Sequence, residues 1–322
     1  MMTLSGFTLY RYSVPLVTPL ALKGETLDRR EGWLVRLESD TGTVGWGEVS
    51  PLPGFSRETL EGVQQQLVSL QGAFVGRPVE TGWSEPDGRF AREVDALALV
   101  PSVRFGLELA AWNLLAAAQG IPLPALITPQ PCATVSVNAL LTGAEEDVLD
   151  TARRLSADGY RAVKLKVGRG SVEEEAALVR ALGHLLGSEV RLRLDANRAW
   201  SLEQALAFAH RLGDTPVEYI EEPLAHPERL SLFAARSGVP VALDETLVGL
   251  SPEALPRHAY ARAVILKPTV MGGLIPTLRM ARRAEALGMT PVISAAFETG
   301  VGMLGLVALA AAVGTQDVPV GL

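Results

Sequence analysis

Cysteine and lysine are scarce in this chain of 322 residues, which holds one cysteine and four lysines. The lone Cys132 excludes a disulfide framework within the chain and fits a reducing, cytoplasmic setting. There is no basic run, and the formal net charge is −7, which argues against nucleic acid as a partner. Residues 1–20 lack the charged start and continuous apolar core of a secretory signal. The uncharged stretch Thr299 to Thr315, 17 residues long, carries four glycines between Gly300 and Gly314. It reads as a turn followed by a buried helix, so no membrane partner is expected. Hydrophobic residues make up 48% and charged residues 20%, which excludes intrinsic disorder. At roughly 150 residues per domain, the length suggests two domains or one large barrel with an appendage.

The 29 basic residues divide into 25 arginines and only Lys23, Lys164, Lys166 and Lys267. The bias itself reads as genomic composition. Three of the four lysines nevertheless lie in the short apolar runs 163–167 and 264–267. Arginine stays protonated in proteins, whereas a lysine of lowered pKa can release its proton. These three lysines are candidates for proton chemistry.

The first 50 residues read as strands at 7–14, 32–38 and 43–49, rich in aromatic and β-branched residues, with a turn at Ser39-Asp40-Thr41-Gly42. A helical pattern follows over 57–70, and 71–100 is irregular. Together these predict an α+β capping domain over residues 1–100. A helix at 102–118, closed by Gly120, opens the second domain, 101–322. From Cys132 short apolar runs alternate with helical patterns. Strands are expected at 134–138, 162–167, 190–195, 217–221, 240–244, 262–267, 291–295 and 317–321, with helices such as 172–186, 202–212 and 275–287 between them. Alternation of this kind signals parallel strands with crossover helices, and eight repeats match a TIM-type barrel. No helix follows the eighth strand. The expected fold is therefore α/β, a (β/α)7β barrel whose missing helix is 102–118. An open doubly wound sheet is the alternative, weakened because no GxGxxG follows the first strand.

Each expected strand end carries a polar residue: Asn138, Lys164 with Lys166, Asp195, Glu221, Asp244, Lys267 and Ser294. From Lys166 onward the spacings are 29, 26, 23, 23 and 27 residues, one strand–helix unit each. Sites in such barrels lie at the C-terminal strand ends, so these groups should ring one mouth. Strand alternation turns both Lys164 and Lys166 inward, and places Arg191 and Arg193 deeper, as braces of the interior. Asp195, Glu221 and Asp244 on adjacent strands would repel one another unless a hard dication lay among them. Three separate ion pairs with arginines are the alternative. All-oxygen ligation suits Mg²⁺, with Mn²⁺ as a substitute. Glu222 and Glu245 point away from this trio and should support it from behind. Lys164 and a nearby dication both disfavour the protonated form of Lys166, which could then abstract a carbon-bound proton next to a substrate carboxylate. Lys267, four strands away, faces it.

Lys164-x-Lys166, Asp195-Ala196-Asn197, Ile220-Glu221-Glu222-Pro223, Asp244-Glu245 and Ile265-Leu266-Lys267-Pro268 resemble, in order and spacing, the muconate-lactonising subgroup of the enolase superfamily. Gly45-Trp46-Gly47-Glu48, followed by 51–56, resembles a capping-domain loop of the o-succinylbenzoate synthases. Residues 101–106, 195–200, Lys267-Pro268-Thr269, and Val292-Ile293-Ser294 followed by Phe297-Glu298 are similar to the same family. The resemblance implies dehydration of 2-succinyl-6-hydroxy-2,4-cyclohexadiene-1-carboxylate to 2-succinylbenzoate in menaquinone synthesis. It implies Lys166 as base and then acid, Lys267 as a stabilising cation, and Asp195, Glu221 and Asp244 as Mg²⁺ ligands. Loop 51–56 with Phe55, the turn near Thr18 to Leu22, Asn197 and Ser294 would meet the small-molecule carboxylate substrate. Phe55 is equally readable as an anchor of the capping domain. A racemase of N-acylamino acids or an epimerase of dipeptides would use the same lysines and metal. Those epimerases carry an Asp-x-Asp near the eighth strand, and its absence up to Leu322 favours the synthase.

Overall fold

The computed structural model of the chain describes residues 2–22, 25–314 and 317–322, so Lys23 lies outside the described residues. The chain forms two compact units. One comprises Met1–Ala133, Lys267–Met280 and Ile293–Thr315, the other Thr134–Leu266, Ala281–Val292 and Gln316–Leu322.

The first unit opens with strands β1 (Leu4–Leu22), β2 (Glu25–Ser39) and β3 (Val44–Val49), antiparallel in that order. One correction follows: the segment Thr18 to Leu22 is strand, paired through Leu20–Leu27 and Leu22–Glu25, and not a turn. Gly45-Trp46-Gly47-Glu48 lies in β3, within the strand expected at 43–49, and the loop comes after it. The two glycines of that motif serve close packing: a Cβ on Gly47 would stand 1.9 Å from the Gly106 carbonyl, and one on Gly45 2.1 Å from that of Ala110. Both carbonyls belong to α3 (Pro101–Gln119), which begins on a proline and ends at the left-handed Gly120.

Helix α1 (Leu60–Phe74) is capped by the Thr59 hydroxyl, which accepts from the Gly62 amide, and buries Val63, Leu67, Leu70 and Phe74. The stretch expected to be irregular contains α2 (Arg89–Ala96), and α4 (Leu123–Ile127) follows α3. Later in the chain come α9 (Pro268–Met271), the start of α10 (Leu274–Ala286) and α11 (Gly300–Val313), the helix foreseen in the uncharged stretch. Among the described residues no helix is long and apolar enough to cross a membrane.

The second unit alternates β4 (Ala139–Leu141), α5 (Glu145–Ala157), β5 (Ala162–Lys166), α6 (Val172–Leu186), β6 (Arg191–Asp195), α7 (Leu202–Leu212), β7 (Tyr219–Glu221), α8 (Leu230–Ser237), β8 (Val241–Leu243), β9 (Ala263–Leu266) and β10 (Thr290–Ile293). The seven strands form one sheet in the order β10-β9-β8-β7-β6-β5-β4, and each pair resolved in register is parallel. The β8–β9 crossover holds two 3-10 stretches and no α-helix, Glu245–Leu247 and Pro252–His258, and in the second two prolines lack the amide donor of an α-helix.

The first and eighth strands depart from expectation. Asn138 precedes β4 instead of ending it. The segment expected at 317–321 forms no strand of its own: Val320 and Gly321 are isolated bridge residues, Val320 pairing in parallel with Val137, and Pro319 has no amide to donate to a ladder. Val320 extends the β4 edge of the sheet. Its amide donates to Ser136 O at 2.8 Å and its carbonyl accepts from the Asn138 amide at 2.9 Å. Val318 packs on Tyr219, Ala242, Ala263, Ile265 and Val292, residues of β7 to β10. Arg193 crosses this interior, donating to Glu218 at 2.5 Å, Asn138 Oδ1 at 3.1 Å and Pro319 O at 2.6 Å. Arg191 reaches the same Glu218 only at 3.4 Å and its side chain is 39% exposed, so of the two arginines expected to brace the interior only Arg193 does so. This is the α/β class, a (β/α)7β barrel of the TIM type with an N-terminal α+β cap.

Candidate active site

On β5, Val163 and Leu165 are buried while Lys164 and Lys166 share the opposite face. Register sets their neighbours. Lys166 lies beside Asp195 on β6, Asp195 beside Glu221 on β7, and Glu221 beside Ala242 on β8. Asp244 follows the last residue of β8, two residues beyond Ala242, and caps the 3-10 turn Glu245–Leu247.

Lys164 Nζ donates to Glu221 Oε2 at 2.7 Å and lies 2.8 Å from Asp195 Oδ2. Lys166 Nζ donates to the same Asp195 oxygen at 2.6 Å and to Asn197 Oδ1 at 2.6 Å. Asp195 and Glu221 are almost wholly buried. Burial alone would raise the Asp195 pKa, but the adjoining Lys164 and Lys166 hold it below the usual carboxylate range. For Lys164, burial works to lower the pKa, and Glu221 and Asp195 more than reverse it, so this ammonium is held above the ordinary lysine range. Lys164 is thus a fixed cation.

Glu222 is fully buried behind this row. Its Oε1 accepts from the Asp244 amide at 2.9 Å and from the Thr246 amide at 2.7 Å. Glu245 accepts from Asn197 Nδ2 at 3.4 Å through one oxygen; its other oxygen is buried with no hydrogen bond. Burial first, then the Asp244 and Glu222 charges, raise its pKa.

Among the described residues no three His, Cys, Asp or Glu side chains are drawn together as a metal cluster; lysines hold Asp195 and Glu221. The donor chemistry nevertheless suits a hard dication. Counted as ionised, five buried or half-buried carboxylates (Asp195, Glu221, Glu222, Asp244, Glu245) outnumber Lys164, Lys166 and Arg198 by two, and the bare Glu245 oxygen lies in the same ring.

The first unit holds the remaining expected residues. Lys267 follows β9 directly, and its Nζ lies 5.8 Å from the centre of the Phe55 ring. Phe55 sits in a loop locked on itself: the Phe55 and Ser56 amides donate to Leu52 O, and the Leu52 amide donates to Ser56 Oγ. Ser294 is buried immediately after β10. Arg30 is not singled out in the sequence, and Glu48 is read there only as part of a motif, without a role. Arg30 donates to the carbonyls of Ser50, Pro51 and Phe297, tying the base of the Phe55 loop to the chain beyond Ser294. Glu48 accepts from the Thr299 amide and hydroxyl and the Gly302 amide, capping α11. A buried charge in an otherwise apolar strand was the available signal.

Comparison with known proteins bears on this arrangement. Residues 147–319 match the family described as enolase C-terminal domain-like, and residues 4–114 match the MenC N-terminal domain. An o-succinylbenzoate synthase of Vibrio cholerae is 32% identical, over 97% of this chain and 87% of its own length. That of Pasteurella multocida is 31% identical over the same shares. The chain belongs to the o-succinylbenzoate synthase family of the enolase superfamily. Among solved structures, the L-Ala-D/L-Glu epimerase of Bacillus subtilis superposes with a TM-score of 0.84 at 22% identity, covering 99% of this chain and 89% of that one. The muconate lactonizing enzyme of Pseudomonas fluorescens gives 0.82 at 24%, covering 95% and 84%. At such identities these likenesses speak for the shared fold of cap and barrel alone.

Proposed function

We propose that this chain is a hydro-lyase that dehydrates 2-succinyl-6-hydroxy-2,4-cyclohexadiene-1-carboxylate to 2-succinylbenzoate, the o-succinylbenzoate synthase step of menaquinone synthesis. Near full-length similarity to curated o-succinylbenzoate synthases supports the reaction. The observation that carries the chemistry is the convergence of Lys164 and Lys166 on Asp195 and Glu221 at adjacent strand ends.

Asp195, Glu221 and Asp244 would hold Mg²⁺, or Mn²⁺ in its place. The bound cation supplies countercharge for a substrate carboxylate as negative charge develops there. Lys166 removes the proton next to that carboxylate. The electron pair left behind expels the neighbouring hydroxyl, and the same Lys166 ammonium returns the proton to it, so water leaves. Lys164 stays protonated throughout, holds Asp195 ionised and donates to Glu221. Lys267, the residue after β9, supplies a second fixed positive charge for the delocalised anion. Phe55, Asn197 and Ser294 are assigned to substrate contact. The division into a cap over 1–100 and a barrel over 101–322 and the cytoplasmic location belong to the same reading.

The test follows conversion of the cyclohexadiene carboxylate by ultraviolet absorbance with Mg²⁺, with EDTA, and with Lys166→Ala. Turnover that needs the metal and is lost in the variant supports the assignment. No turnover by a folded, metal-binding chain would overturn it and direct attention to α-proton exchange in D₂O.

A further inference from the structure

We propose that Arg198 and Thr246, acting through Glu222, are positioning residues that fix the spacing of Asp195, Glu221 and Asp244. The inference rests on the reading of those three as ligands of a divalent cation. Strands β6, β7 and β8 each lead through one of these carboxylates into a loop. Arg198 follows Asp195 by three residues, Glu222 follows Glu221 by one, and Thr246 follows Asp244 by two.

One carboxylate staples all three loops. The Oε1 of Glu222 takes the amides of Asp244 and Thr246, and its Oε2 takes the Thr246 hydroxyl at 2.9 Å and Arg198 Nε at 3.0 Å. The circuit then closes. Arg198 Nη2 donates to Thr246 Oγ1 at 3.0 Å, and the Arg198 amide donates to the Glu222 carbonyl at 2.7 Å. Both oxygens of Glu222 are saturated, so none of the three loops can shift alone without stranding a buried charge.

Backbone strain marks the same places. Asn197, Arg198 and Glu222 have φ of 42°, 62° and 42°, left-handed values that side-chain-bearing residues seldom adopt. Such conformations persist where the surroundings over-determine them, and they gather at sites that need a set geometry. Two of these residues are consecutive and stand between Asp195 and the Glu222 contact. Groups that orient metal ligands from behind control affinity for the ion without touching it.

Thr246→Val in the full-length chain keeps the side-chain shape and removes the hydroxyl shared by Arg198 and Glu222. Mn²⁺ binding, followed by electron paramagnetic resonance, should weaken by about tenfold or more. Thr246→Ser should bind as the parent does, and the melting temperature of all three in EDTA should stay within a few degrees. If Thr246→Val fails to fold, Arg198→Lys keeps the charge, loses the two-pronged contact and should show the same weakening. Unchanged Mn²⁺ affinity in the folded variant overturns the positioning role while leaving the cation reading intact. A parent chain that binds no Mn²⁺ overturns the cation reading, and this inference with it.

Discussion

Lys164 and Lys166 share one acceptor: their Nζ atoms lie 2.8 and 2.6 Å from Oδ2 of Asp195. Two like charges side by side on one strand are tolerable because that oxygen faces both. Asp195→Asn removes the charge and leaves Lys164 with Glu221 and Lys166 with Asn197 Oδ1. Breaking a buried ion pair on one side costs about 3–5 kcal/mol. Unfolding in urea should show a loss toward the lower end of that range, since Lys166 can turn partly to solvent. An unchanged midpoint would mean that both lysines relax into water.

Lys267→Arg preserves the positive charge and gives up the proton shuttle, because guanidinium does not deprotonate in proteins. A cation-only role predicts measurable dehydration activity in this variant. Complete loss of turnover in the absorbance assay would sink that role. A racemase with the same substitution should lose at least one direction of α-proton exchange.

Glu48→Ala should destabilise the chain by about 3 kcal/mol, because it strips the acceptor from the Thr299 and Gly302 amides, the Thr299 hydroxyl and the Tyr12 hydroxyl together. Tyr12→Phe removes only one of these bonds and should cost about 1 kcal/mol. Equal losses in the two variants, measured by urea titration, would contradict the capping role.

Glu108 predicts a pH dependence. It is fully buried in α3, where it accepts from Arg104 Nε at 2.7 Å and from the Ile275 amide at 2.8 Å. Burial raises its pKa from 4.5 to about 7, against the pull of Arg104. The folded state therefore keeps a proton that the unfolded chain has already released. Its contribution to stability is complete below pH 4.5, falls as pH rises from there to about 7, and is flat above. The difference amounts to about 3 kcal/mol. Glu108→Gln should flatten that limb of the stability curve. A parallel decline in the variant would assign the effect to other groups.

Much of the barrel was legible because local signals agreed. Helices α6 and α7 fall on the expected residues, between the caps Ser171 and Ser201 and the closing Gly187 and Gly213. Carboxylates and lysines at strand ends were legible for the same reason: alternation fixes the face, and repeat length fixes the height. The outer strands were not. Thr134 to Asn138 has strand-like residues, but the ladder begins one residue later, and the segment after Pro319 adds only isolated bridge residues. The length of β1 and β2 was hidden as well. Arg29, Arg30 and Glu31 look like surface in sequence yet continue the ribbon opposite Pro15, Val14 and Ser13. The staple of Glu222 across three loops has no local signature, because its partners lie 22 to 24 residues away on either side.

The first unit is assembled from three stretches of chain, and this constrains how the protein can be inherited. Glu48 meets its acceptance partners 251 and 254 residues further on, and Glu108 meets Ile275 across 167. A gene fragment ending after residue 133 would encode two buried carboxylates and deliver the helix termini of neither. Recombination by simple end-joining therefore has no point at which to cut between the units. The first unit is heritable only as a whole reading frame, because its three stretches are interleaved with those of the second.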